Sequence, residues 1–110
     1  METKFERCLK ACYDCLKACN YCFDQCLQED HVTSMAACIR LDRECADICM
    51  YTIDALTRQS SFDQKIVSLC AEICERCADE CEKHAHEHCQ QCAKACRACA
   101  AACRSFTAVA

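Results

Sequence analysis

The sequence predicts an all-α chain, an up-down-up-down antiparallel four-helix bundle whose core is lined with cysteine. Three observations carry that expectation. Eighteen of the 110 residues are cysteine, and most advance along the chain in steps of three and four. The steps fall into four blocks separated by short polar stretches. Glycine and proline, which turn-rich folds recruit where φ must be positive or fixed, do not occur at all.

The first helix is expected over residues 3–28. Cys8, Cys12, Cys15, Cys19, Cys22 and Cys26 lie alternately four and three apart, which confines them to a wedge of roughly 80° on one helix face. Phe5, Leu9, Leu16, Phe23 and Leu27 flank the wedge on one side and Ala11 and Ala18 on the other, while Lys10, Asp14, Lys17, Asn20 and Asp24 form a solvated face. The second helix is expected over 33–57, with a sparser set of Cys38, Cys45 and Cys49, core residues Leu41, Ile48 and Ile53, and Asp42 at the margin of the wedge. The third, over 62–84, carries Cys70, Cys74, Cys77 and Cys81, and the fourth, over 87–106, carries Cys89, Cys92, Cys96, Cys99 and Cys103. Asp30 or Thr33, Ser60 or Ser61, and the His-rich stretch 84–88 supply polar residues for the helix starts. Short loops make consecutive helices antiparallel neighbours, so residues 1–110 read as a single bundle domain.

Composition narrows the function. With 54% hydrophobic residues and a net charge of −4, disorder is disfavoured, and a pI near 5.5 gives nucleic acid no basic surface to bind. The charged start Met1-Glu2-Thr3-Lys4-Phe5-Glu6-Arg7 leads into no apolar stretch of a secretory signal, and charges interrupt every apolar run before it could span a membrane. A cytoplasmic protein is therefore expected, and in a reducing compartment many cysteines point to metal or redox chemistry. No nucleophile elbow, HExxH or phosphate-binding glycine loop is present, so the chain does not read as an enzyme.

Packing alone explains the cysteines poorly. Each one replaces a larger aliphatic chain and forgoes about 0.8 kcal/mol per missing CH₂. Disulfides within a helix are disfavoured, because residues one turn apart have Cβ atoms about 5–6 Å apart and the bond wants about 3.5–4.5 Å. Metal binding uses the spacing directly, since two thiolates one turn apart can converge on one ion, and soft thiolates select Cu(I), zinc or iron–sulfur clusters. Zinc tetrathiolates would each leave a charge of about −2 in the bundle, which is costly to bury. One Cu(I) per thiolate is neutral. The C-x₂-C-x₂-C-x₃-C-P iron–sulfur run is absent. Zinc or general soft-metal sequestration, and thiol redox buffering, remain the competing readings.

The segments CLKACYDCLKACNYCFDQC (Cys8 to Cys26), CIRLDRECADIC (Cys38 to Cys49), CAEICERCADEC (Cys70 to Cys81) and HAHEHCQQCAKACRACAAAC (His84 to Cys103) together resemble the cytosolic copper storage proteins. The resemblance covers nearly the whole chain. It implies cytosolic storage of many Cu(I) ions by inward-pointing thiolates, here all eighteen cysteines named above, and a tetramer of bundles. Copper ions and a cytosolic copper chaperone are the expected partners, with no nucleic acid and no membrane.

The two ends of such a bundle differ. His31, His84, His86 and His88 gather at the end holding the first and third loops, with Met35 one turn into the second helix. These five residues are candidates for admitting copper to Cys26, Cys38, Cys81 and Cys89. Phe5, Ile53, Leu56, Phe62, Ile66 and Phe106 gather at the opposite end as an apolar plug.

Overall fold

Thr3 sets the start of the first helix. Its hydroxyl accepts from the Glu6 amide and the Glu6 carboxylate accepts from the Thr3 amide, each at 3.0 Å, so two otherwise orphaned donors are satisfied reciprocally. The computed structural model describes residues 1–108. They form α1 (Lys4–Leu27), α2 (Ala36–Thr57), α3 (Asp63–Cys81) and α4 (Glu87–Thr107), with a 3₁₀ turn at Val32–Met35 ahead of α2. α1 packs on α2 and α4, and α3 packs on the same two helices, which is the square arrangement of an up-down-up-down bundle. The molecule measures 46 × 21 × 19 Å.

The bounds differ from the expected ones where loops tighten. The residues at 33–35 belong to the 3₁₀ turn, so Met35 immediately precedes α2 instead of lying one turn into it. The N-cap positions of α2 and α3 are Met35 and Phe62, and neither makes a side-chain cap. Ser34 instead donates to the His31 carbonyl at 2.7 Å, and the Ser60 hydroxyl accepts from the Phe62 amide at 3.1 Å. Of the residues expected as caps, Ser60 therefore shapes a loop, and neither Asp30 nor Thr33 caps α2. α3 stops at Cys81 because the Lys83 and His84 amides turn back to the Glu80 and Cys81 carbonyls.

α2 ends without the glycine that helix ends usually recruit. Gln59 takes φ 55°, its amide donates to the Leu56 carbonyl at 3.1 Å, and the Ser60 amide donates to the Ala55 carbonyl at 2.9 Å. This is the Schellman pattern built around a residue with a Cβ.

Every cysteine is fully buried or within 1% of it. Buried Ala46, Ala71, Ala78, Ala93 and Ala100 stand beside them and let the backbones approach closely. At the end away from the histidines the sulfur gives way to Thr52, Ala55, Leu56 and Val67, all buried, with Phe106 packed partly against them. Phe62 does not join this plug. It is 65% exposed, because it sits at the N-cap position before α3, whose first buried residue is Val67. Phe5 also lies at the surface.

Replacing Gln59 by glycine should relieve the left-handed penalty at a small cost in chain entropy. The expected gain is about 0.5–1 kcal/mol in apo stability, read from the urea midpoint at unchanged slope. A loss of stability would contradict the strain assigned to this turn.

Candidate metal-binding site

The helices bring sulfur to sulfur along the bundle axis. Cys15 Sγ lies 3.6 Å from Cys45, 3.7 Å from Cys96, 3.9 Å from Cys19 and 4.0 Å from Cys74, so one atom of α1 meets sulfurs from all four helices. Pairs one turn apart sit just as close, with Cys22 to Cys26 at 3.7 Å and Cys92 to Cys96 at 3.9 Å. Cys8 to Cys103 at 3.7 Å and Cys38 to Cys81 at 3.6 Å continue the contacts toward the two ends. All eighteen thiols are free, and these separations are far above the roughly 2.05 Å of a disulfide.

The separations match those around a metal ion. An ion about 2.3 Å from each thiolate spans sulfur edges of about 3.8 Å in a tetrahedral arrangement and about 4.0 Å in a trigonal one. Four-sulfur sets lie within 4.8 Å of one another at Cys12, Cys70, Cys99 and Cys103, at Cys15, Cys49, Cys74 and Cys99, at Cys15, Cys19, Cys45 and Cys96, at Cys19, Cys77, Cys92 and Cys96, and at Cys22, Cys26, Cys38 and Cys89. Neighbouring sets share members. Cys99 links the first two, Cys15 the second and third, and Cys19 with Cys96 the third and fourth. Separate closed tetrahedral sites cannot all fill at once, whereas ions bridged by common sulfurs can.

Burial disfavours the thiolate throughout this column. It pushes the Cys89 thiol up to about 12, helped by the neighbouring Cys38, and raises Cys26 in the same way. At Cys26 and Cys89 the metal-free column therefore keeps its protons, and a cation arriving there must displace them.

Asp42 is the exception in this sulfur lining. It is fully buried inside the cysteine wedge, not at its margin. Its Oδ1 accepts from Cys77 and Cys92 at 3.5 Å and from Cys81 at 3.6 Å, and its Oδ2 from Cys38 at 3.8 Å. Burial is the main cause that pushes its carboxyl up to about 10. The sequence does hold a signal for this placement, because 38, 42, 45 and 49 restore the four-three-four spacing and Asp42 fills the slot of a missing cysteine.

The histidines separate into different roles. His88 Nδ1 reaches Cys22 at 3.4 Å, Cys89 at 3.5 Å and Cys26 at 4.0 Å, and its Nε2 lies 2.8 Å from Glu29 Oε2. His86 stacks on His88 with centroids 5.3 Å apart and sends its Nδ1 to the same Glu29 oxygen at 3.4 Å. His84 is turned to Glu80, with Nε2 2.8 Å from Oε2. His31 and Met35 line a cleft of about 180 Å³ together with Glu29, Asp30, Ser34 and His86. His88 is thus the histidine that contacts thiols among the described residues. Glu29 escaped sequence reasoning because only the meeting of two distant loops brings it there.

Comparison with known proteins agrees with this geometry. The family model for copper storage protein matches residues 1–108. A cysteine-rich protein of Bacillus subtilis, YhjQ, is 55% identical over 75 residues, covering 68% of this chain and 69% of its own. The Cu(I)-bound copper storage protein BsCsp3 is 54% identical with a TM-score of 0.92 over 96% of this chain and all of that one. A cytosolic copper storage protein from Streptomyces lividans, with five coppers, is 39% identical with a TM-score of 0.93 over 97% of this chain and 94% of that one.

The raised Asp42 pKa means that the folded chain keeps a proton which the unfolded chain sheds above about pH 4. Stability from that group is whole below the unfolded pKa and is lost as pH climbs toward the folded value. The neutral Asp42→Asn substitution should therefore match wild-type apo stability near pH 4 and exceed it by on the order of a few kcal/mol near pH 8. Urea unfolding at both pH values checks this, and a pH-independent gap would contradict a protonated Asp42.

Proposed function

Because the chain belongs to the copper storage protein family, we propose that it holds many Cu(I) ions as cargo in the sulfur column formed by its eighteen cysteines. The observation that carries this reading is a column of thiols 3.6–4.0 Å apart whose four-sulfur sets share members. Shared sulfurs suit a monovalent soft ion, since each bridging thiolate balances about one positive charge and the filled core stays near neutrality. Divalent ions at separate tetrathiolate sites would leave that core strongly anionic. Capacity on the order of one ion per cysteine follows from the soft-ligand argument.

The His88 end is the mouth. Its imidazole stands against the outermost thiols Cys22, Cys26 and Cys89, and we assign it the first transfer of Cu(I) inward. His86, His31 and Met35 surround the approach, and His84 is a helix-end partner of Glu80. Asp42, one helical turn from Cys38, meets thiols from three helices and contributes an oxygen donor inside the column.

Cytoplasmic residence is part of the same proposal, supported by the cytosolic description of the Streptomyces relative. No helix among the described residues is long and apolar enough to cross a membrane. Assembly as a homotetramer and delivery by a copper chaperone complete the reading. Exposed Tyr13, Tyr21, Met50 and Tyr51 on α1 and α2 supply apolar surface for contact with other copies. The role is storage without catalysis.

Titration of reduced apo protein with Cu(I) under anaerobic conditions, against a chromophoric Cu(I) chelator, tests the proposal. On the order of 18 equivalents should be withheld from the chelator with helicity nearly unchanged. Retention of only one or two would refute storage. Because the ions displace thiol protons, affinity should rise with pH between 6 and 8, by about tenfold per pH unit for each proton released. A flat pH profile would contradict thiolate ligation.

A further inference from the structure

We propose that Glu29 is a positioning residue for the copper mouth: it holds the His88 imidazole with its proton on Nε2, so that the Nδ1 lone pair faces the outermost thiols. The inference rests on the reading of the column as a Cu(I) store reached through His88, and adds the group that makes His88 competent.

The hydrogen-bond inventory fixes the tautomer. An ionised carboxylate can only accept, so the 2.8 Å contact between Glu29 Oε2 and His88 Nε2 requires the proton on Nε2. In its neutral form the imidazole then keeps its one in-plane lone pair on Nδ1, which stands 3.4 Å from Cys22, 3.5 Å from Cys89 and 4.0 Å from Cys26. Those three thiols, with Cys38, form a four-sulfur set. The opposite tautomer would set a lone pair against a carboxylate oxygen and aim an N–H at the sulfurs. Metal-binding histidines commonly owe their orientation to such an outer carboxylate.

The ring is held from a second direction as well. His86 stacks on it, with the ring planes 6° from parallel, and its Nδ1 lies 3.4 Å from the same Glu29 oxygen, so one carboxylate oxygen faces both members of the stack. His88 is left 10% exposed while His86 is 42% exposed. Glu29 comes from the loop after α1 and His88 from the first turn of α4, so their contact also ties together the two loops that frame the mouth. His84 has a similar carboxylate partner in Glu80, at 2.8 Å, but that pair lies within one turn of α3 and the loop after it.

The test compares Glu29→Ala, Glu29→Gln and His88→Ala by two readouts. In reduced apo protein, ¹⁵N–¹H correlation of the imidazole should show His88 as the Nε2–H tautomer, a mixture in Glu29→Ala, and the wild-type form in Glu29→Gln, whose amide oxygen still accepts. In stopped-flow transfer of Cu(I) from a chromophoric complex, Glu29→Ala should load about tenfold more slowly at unchanged final capacity. Glu29→Gln should load at close to the wild-type rate, and Glu29→Ala should add no further slowing to His88→Ala. A wild-type tautomer or a wild-type rate in Glu29→Ala overturns the proposal. So does equal slowing in Glu29→Gln with its tautomer retained, which would assign Glu29 to attraction of the cation by charge. Wild-type protein that withholds only one or two equivalents from the chelator would refute storage itself, and with it the copper role of Glu29, whatever tautomer the apo protein shows.

Discussion

Eighteen thiols occupy one core at sulfur separations of 3.6–4.0 Å, and the architecture answers to that crowding. A bundle core normally draws its stability from Leu and Ile, each worth about 1.5–3 kcal/mol on burial. Here small cysteines and alanines take those places, so the hydrophobic gain per turn is low and the helices lie close together. Long helices with satisfied backbones compensate, together with the cap at Thr3 and the larger side chains Leu56 and Val67 at the closed end. Ion pairs such as Arg97 with Asp79 and Glu82, and Arg104 with Glu75, tie α4 to α3 at the surface. Exposed pairs of this kind add at most about 1 kcal/mol each.

Electrostatics divides the column along its length. In the metal-free state burial favours the protonated forms of Cys89 near one end and of Asp42 deeper in. Glu29 stands outside the column, and the His88 hydrogen bond holds its carboxyl below the ordinary range. The protein thereby separates a dry interior, where positive charge is welcome only if protons leave, from a wet rim where the Glu29 carboxylate meets the His88 imidazole. Asp42 breaks the sulfur lining between these regimes, with oxygen where α2 would otherwise present a fourth cysteine.

The helical periodicity of cysteine made the bundle legible, since a three-four step has one structural meaning and recurs in three of the helices, with a sparser seven-four version in α2. The same periodicity named the inward residues, because burial follows the wedge. It was less informative where helices end. Thr33 and Ser61 have the chemistry of caps, but the first loop tightens into a 3₁₀ turn and α3 starts from Phe62 without a side-chain cap. Phe62 looked like plug material by hydrophobicity alone, and its position before the helix start turned it outward. Glu29 and His88 are 59 residues apart and belong to no common pattern, so their meeting depends on loop conformation that no spacing encodes. Asp42 was readable only by treating a gap in the cysteine register as a filled position.

The sharing of sulfurs between neighbouring sets gives the core the character of a one-dimensional lattice. An ion placed at one node would change the ligands left for the next, so occupancies along the axis would be statistically dependent in the manner of nearest-neighbour chains. A partly filled molecule is then an ensemble of patterns with one average content, in place of a single defined complex. Such a reservoir passes through a graded series of fillings, and its behaviour at half capacity is set by couplings between adjacent nodes as much as by the affinity of any one of them.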